Sequence, residues 1–219
     1  MKPSTIIDLT ATLTKGQRGV DYEPARTVER DGWNARTLNL YSHAGTHMDA
    51  QLHFAAGIES IDQIPMERLM GPAWRINLTD LVTKKMLITP NHLGRAKEEL
   101  LPGESLILHT GWSRYKDNDD TFRLQLPRVS EELALWCVER KVNILGVEPP
   151  SIADVANIKE VTQIHTILLE ANVTIVEGLC NLELCPERIF FAAFPLKIHQ
   201  GDGAPCRAVA WPLETNTSK

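Results

Sequence analysis

No apolar run in the chain is long enough to cross a bilayer as a helix, so a membrane-spanning segment is not expected. No Gly/Ser/Pro-rich linker, low-complexity tract or internal repeat divides the 219 residues, which are read as a single domain over 1–219. Positive charge is in short supply. Lys and Arg number 23 against 28 Asp and Glu, the formal net charge is -5, and the basic residues are scattered rather than striped. That distribution argues against nucleic acid or an acidic membrane surface as a partner. Cysteine is sparse too. Cys137, Cys180, Cys185 and Cys206 show neither the density of a disulfide-stapled domain nor a C-x-x-C pair, and read as four ordinary thiols. The opening MKPSTIIDLTATL breaks its apolar residues with Pro3, Asp8 and threonines, unlike a secretory signal, so a cytoplasmic location is expected.

What is present is the material of a globular α/β domain: 43% hydrophobic and 23% charged residues, enough for a substantial core. Short β-rich runs alternate with helical patterns. Strands are expected over 6–9, 37–41, 74–78, 105–109, 142–147, 173–176, 189–194 and 207–211, with Leu38 and Leu40 turned toward the core. Thr89 before Pro90 reads as a cap opening a helix to about Leu100. Ser130 caps a second helix, with Glu131 and Glu132 at its positive end and Leu133, Trp136 and Cys137 in one apolar stripe. A third covers 161–170, with Ile164, Ile167 and Leu168 inward. The polar run 117–128 reads as a surface loop, and the tail from Asn216 as a frayed terminus.

The chemistry concentrates in residues 43–54, HAGTHMDAQLHF, where His43, His47, His53 and Asp49 gather from a chain with only seven histidines. Imidazole nitrogen and carboxylate oxygen suit zinc or another divalent first-row metal. His43 stands at the exit of an expected strand, where active-site groups often emerge from rigid support. Gly45 lets the backbone turn so that His43 and His47 can converge, and His47 and Asp49, two apart, share one side of an extended segment. Histidines so placed also occur as hydrogen-bonded loop residues. By itself the segment leaves both readings open.

The segment resembles the H-x-G-T-H-x-D-x-P-x-H-F motif of the cyclase family of metal-dependent hydrolases, which includes bacterial kynurenine formamidase and isatin hydrolase. Further stretches resemble the family in order along the chain: Ile64-Pro65 through Gly71-Pro72, Pro102-Gly103 with Thr110-Gly111-Trp112, and the run GVEPPS at 146–151. His165 with Leu168 and Leu169, the run EGLCNL at 177–182, and Pro195-Leu196 with APCRAV at 204–209 complete the series. Three departures stand out. Gln51 replaces the family's proline, His109 stands where the family has arginine, and residues 14–24 lack the W-P-G-D-like loop of kynurenine formamidases.

The resemblance implies a single-domain α/β fold of the swivelling β/β/α type, with a mixed central β-sheet and flanking helices. It implies that His43, His47 and Asp49 hold a first cation, and that Asp49 bridges to a second held by His165 and Glu177. His53 matches the family's proton donor and acceptor. Zn2+ or Mn2+ is implied, one or two ions per subunit, in a homo-oligomer (dimer or tetramer) acting on a small-molecule substrate. Gln51 and Trp33 are candidates for touching that substrate, Gln51 by hydrogen bonding and Trp33 as an aromatic wall. The implied reaction is hydrolysis of an amide-type C–N bond, in an N-formyl group, lactam or similar small molecule. The same site could instead run a non-hydrolytic cyclisation, isomerisation, dehydration or lactone opening, or persist in a silent binding protein.

Overall fold

The computed structural model describes residues 5–213; the tail from Asn216 lies outside them. In chain order the strands are β1 (Ile7–Asp8), β2 (Val20–Arg26), β3 (Ala35–Leu40), β4 (His47–Asp49), β5 (Met70–Asn77) and β6 (Leu87–Ile88), then β7 (Ser105–His109), β8 (Arg128–Val129), β9 (Ile144–Val147), β10 (Thr174–Glu177), β11 (Arg188–Pro195) and β12 (Gly203–Pro212). The helices are α1 (Val28–Asp31), α2 (Ala96–Glu99), α3 (Asp119–Leu124), α4 (Glu131–Glu139) and α5 (Ile158–Glu170). None is long and apolar enough to cross a membrane.

β5, β7, β9 and β10 run parallel side by side, and the continuously buried β7, β9 and β10 fit strands covered on both faces. β11 flanks β5, β12 flanks β11, and β4 joins β10 to β12, all antiparallel. The mixed sheet therefore closes on itself, with β1 added along β12. This is the α/β fold expected, its mixed central sheet closed into a barrel.

Alternation along the strands divides the core in two. Met48, Ala73, Ile107, Ile144, Val176 and Phe191 fill the barrel interior. Their neighbours Trp74, Ile76, Leu106, Leu108, Leu145 and Ile175 point outward, against Leu133, Trp136 and Cys137 of α4 and Ile164 and Leu168 of α5. Fully burying each such Leu or Ile stabilises by about 1.5–3 kcal/mol. Both helices start on side-chain caps: Ser130 accepts from the Leu133 amide at 3.1 Å and Asn157 from the Glu160 amide at 3.3 Å. All four cysteines are buried free thiols.

Three local expectations need correction. The stretch 89–100 is not one helix: Thr89 opens a short 3-10 turn over Pro90–His92, where His92 Nδ1 accepts from the Thr89 amide at 3.0 Å, and the left-handed Gly94 separates it from α2. The supposed loop 117–128 holds α3, capped by Asn118, and leads into β8. β3 pairs with β2 alone in a separate two-stranded sheet, so Leu38 is 60% exposed rather than in the core. Apolar alternation cannot say whether a second layer covers the strand.

Candidate metal centre

The centre is laid out by strand register. On β4, Met48 enters the barrel, so His47 and Asp49 face outward together. β10 lies antiparallel beside it with Glu177 opposite His47, and Val176 pointing inward commits Glu177 to the same outer face. Glu177 Oε2 stands 3.2 Å from His47 Nε2. α5 covers this face and supplies His165, whose Nε2 lies 3.4 Å from Glu177 Oε1 and 3.7 Å from Asp49 Oδ2. Glu177 Oε1 also accepts from the Ile152 amide at 2.7 Å, just beyond the Pro149-Pro150-Ser151 turn.

The ring orientations of both imidazoles are fixed by backbone. His47 Nδ1 donates to the Gly45 carbonyl at 2.9 Å and His165 Nδ1 to the Val161 carbonyl at 2.7 Å. Each therefore turns Nε2 toward the carboxylates, the arrangement that prepares histidine to ligate.

His43 arrives from the turn after β3, where Gly45 adopts φ 62; a Cβ there would meet Leu13 Cδ2 at 2.5 Å. Its Nδ1 lies 2.8 Å from Asp49 Oδ1, and its Nε2 lies 2.8 Å from Asp202 Oδ2. Gly203 makes room for it, since a Cβ there would meet His43 Cε1 at 2.6 Å. Asp202 is set in place by β4 itself, because the Ala50 amide donates to the Asp202 carbonyl at 2.9 Å. His53, on a 3-10 turn over Gln51–Phe54, stacks on His43 with ring centroids 3.8 Å apart, and its Nδ1 lies 3.6 Å from the same Asp202 oxygen.

Burial lowers the proton affinity of the three inner imidazoles, but the facing carboxylates outweigh it. Asp49 and Asp202 raise His43 to about 9, and Glu177 with Asp49 raises both His47 and His165. Glu177 is driven the opposite way to what burial alone would do: His165 and His47 hold it well below the usual carboxylate range. His53 differs. Burial keeps it below the ordinary histidine value; Asp49 and Glu177 oppose this, but the charges of His43 and His165 add to it, so it is neutral near pH 7.

These donors fit a divalent cation. His47, Asp49 and Glu177 bring one donor atom each within 4.8 Å of one another, and so do His43, Asp49 and His53, with Asp49 common to both groups. Asp49 Oδ2 is fully buried without a hydrogen-bond partner among the described residues. An orphaned carboxylate oxygen is costly in a protein interior, and a cation answers the need.

The six residues proposed for metal and proton transfer thus lie together, while the two suggested for substrate do not join them. Gln51 is engaged in packing: its Nε2 donates to the Leu169 carbonyl at 3.2 Å and to Asn172 Oδ1 at 3.1 Å, and its Oε1 accepts from the Glu59 amide at 3.1 Å. Trp33 stands 57% exposed at the tip of the β2–β3 hairpin, outside the wall of the cavity. That cavity, about 900 Å3, opens over the histidines and takes its aromatic walls from Tyr41, Phe54 and Phe122. Sequence reasoning missed these aromatics, Asp202 and the cationic wall described below. Asp202 had one visible signal, an acidic residue between two glycines beside the matched 204–209 run.

Comparison with known proteins gives a consistent result. Residues 7–154 match the Cyclase family model, described as "Putative cyclase". The chain is 30% identical to a kynurenine formamidase of Bordetella petrii over 177 residues, 80% of this chain and 79% of that protein. It is 28% identical to a kynurenine formamidase of Bacillus thuringiensis, covering 97% of this chain and all of that one. Among solved structures, isatin hydrolase A from Ralstonia solanacearum superposes with a TM-score of 0.84 at 26% identity, over 95% of this chain and 92% of that chain. The strand-borne donor set, the barrel around it and these relationships lead to one statement: the chain belongs to the cyclase family of metal-dependent hydrolases.

Proposed function

We propose that this protein hydrolyses an amide-type C–N bond of a small molecule, in an N-formyl group, a lactam or a related structure, at a centre held by His43, His47, Asp49, His165 and Glu177. The observation that carries the proposal is Asp49, a buried carboxylate common to both donor groups, with one oxygen left without a hydrogen-bond partner among the described residues. The relatives, named as kynurenine formamidases and an isatin hydrolase, support the bond type. When bound there, a divalent cation supplies carbonyl polarisation and a more acidic water, the two things amide hydrolysis lacks near neutral pH.

The protein's own residues do the rest. His53 lines the cavity beside the donor cluster and is neutral near pH 7, so it can take the proton of an attacking water and return it to the leaving nitrogen. Asp202 Oδ2 lies 3.6 Å from His53 Nδ1, so a carboxylate charge stands close to the ring without a hydrogen bond to it. The nitrogen and oxygen donors suit Zn2+ or Mn2+, as one or two ions. We further read the chain as a single domain over 1–219, cytoplasmic and homo-oligomeric as a dimer or tetramer, acting on a small molecule and on neither nucleic acid nor membrane.

The test is metal analysis of the purified protein, followed by a panel of N-formyl anilines, lactams and lactones assayed with Zn2+ and with Mn2+. The product should be heavier than its substrate by one water, shared between the fragments where two form. A product of unchanged mass would point to cyclisation or isomerisation instead, and no turnover by the metal-loaded protein would overturn the proposal.

A further inference from the structure

Thirteen arginines lie among the described residues, and eleven have a partner. Eight pair with a carboxylate, Arg75 donates to His109, and Arg36 and Arg114 lie over tyrosine rings. The two that remain, Arg18 and Arg123, make no ion pair, hydrogen bond or aromatic contact through their side chains among the described residues. Both stand in the wall of one cavity, the one that opens over the metal centre.

The placement of Arg123 is built into the fold. It is half-buried on α3, a helix capped by Asn118 and pinned to the buried Trp112, whose Nε1 donates to the Phe122 carbonyl at 3.0 Å. Burial holds its guanidinium below the ordinary arginine value, and the charge of Arg18 acts in the same direction. Asp119, Glu177 and Tyr41 oppose this, none of them paired with it. Arg18 projects from the tight turn that precedes β2, closed by the Val20 amide donating to the Gln17 carbonyl at 2.9 Å. The exposed Lys116, and Lys15 paired with Asp21, bring the Lys and Arg side chains of the wall to four, against the exposed Asp117 and Asp119 and the buried Glu177.

The half-buried Arg123 and the exposed Arg18 stand in one wall, and the charge of Arg18 acts unfavourably on Arg123; an anion between them relieves that repulsion. A planar guanidinium fork matches a carboxylate with two parallel hydrogen bonds. We propose that Arg123 and Arg18 form an anion-binding subsite that grips a carboxylate of the substrate, at the end remote from the bond that is cut. The inference rests on the hydrolase reading above and narrows its substrates to anionic small molecules.

The experiment uses the full metal-loaded chain and N-formylanilines bearing a para carboxylate, placed on the ring or on a two-carbon arm, each matched by its neutral primary amide. The corresponding anilines, titrated by calorimetry, give a binding readout free of chemistry. The carboxylate member should be preferred at least about tenfold, both in kcat/KM and in affinity, as charge-assisted hydrogen bonds lead one to expect. Arg123→Gln, and more completely Arg18→Gln with Arg123→Gln, should bring both ratios toward unity. Arg207→Gln, whose partner is Asp8 outside the cavity, should retain them. No preference in the wild type, or a preference that survives the double substitution because the carboxylate sits on the cation, overturns the subsite. Carboxylate-selective binding that depends on Arg123, without hydrolysis of any compound, supports the subsite and sinks the hydrolase reading. Hydrolysis without charge preference does the reverse.

Discussion

Removing Asp202 should loosen the cation without dismantling the fold. Its Oδ2 accepts from His43 Nε2 at 2.8 Å, and so fixes the tautomer that leaves His43 Nδ1 facing Asp49. Losing such an outer partner costs about 10–100-fold in metal affinity, roughly 1.4–2.7 kcal/mol. The Asp202 side chain is 45% exposed, so solvent screening places the expected loss near the lower end, about tenfold. Asp202→Ala should lose more than Asp202→Asn, because the amide oxygen can still accept from His43. A second effect opposes the first. Asp202 helps hold His43 at about 9, so its removal also weakens proton competition for that nitrogen at pH 7. The loss should therefore be smaller at pH 7 than above about pH 9, where His43 is already deprotonated. Competition titration of Zn2+ against a chromophoric chelator at both pH values measures this. A Kd for Asp202→Ala within twofold of the wild type at the higher pH would refute the orienting role.

Four further outcomes are expected. His53→Asn should keep its metal content while kcat falls by about 10²–10⁴-fold, the usual contribution of a general acid–base group; undiminished turnover would remove His53 from the reaction. His47→Ala, losing a buried donor beside Asp49 and Glu177, should purify with metal content near zero by elemental analysis, and full occupancy would reject it as a ligand. Because His43 is raised to about 9 and His47 and His165 are raised as well, metal uptake at pH 7 should release at least about one proton per chain. Calorimetry in buffers of different ionisation enthalpy would show it, and equal heats would count against the raised values. Away from the centre, Glu104 accepts from Arg188, from Trp74 Nε1 at 3.0 Å and from the Leu101 amide at 3.0 Å. Burial pushes its carboxyl up, but these partners hold it below the usual carboxylate value. Its stabilisation is thus fully present above the unfolded value near 4.5 and is lost as pH falls through the lower folded value. Glu104→Gln should cost about 1–3 kcal/mol in urea unfolding at pH 7, and a cost that did not shrink on acidification would contradict the assignment.

Local signals served where one residue type had one physical reason to be there. Ser130 before two glutamates marked the start of α4, and the apolar runs at 105–109 and 173–176 marked strands close to β7 and β10. They failed where a neighbour intervened. Thr89 and Pro90 do open a helical turn, but the left-handed Gly94 stops it from propagating to Leu100. The alternation of Leu38 and Leu40 promised a covered face, yet among the described residues β3 pairs only with β2 and Leu38 stays 60% exposed.

Donor types, their spacing over residues 43–54 and, through ordered motifs along most of the chain, the family are legible in the order of amino acids alone. Spacing along one extended segment suffices to put His47 and Asp49 on a common face, because side chains alternate every residue. What that face meets is set by long-range packing. Antiparallel register sets Glu177 opposite His47, α5 lowers His165 onto both, and the β4–β12 pairing carries Asp202 to His43. The tertiary fold also decided that Gln51 is spent on packing, that Trp33 stands away from the cavity and that Arg18 and Arg123 share its wall. These are relations between residues far apart in the chain. They depend on which strands pair and which helix covers them, and no local pattern encodes that.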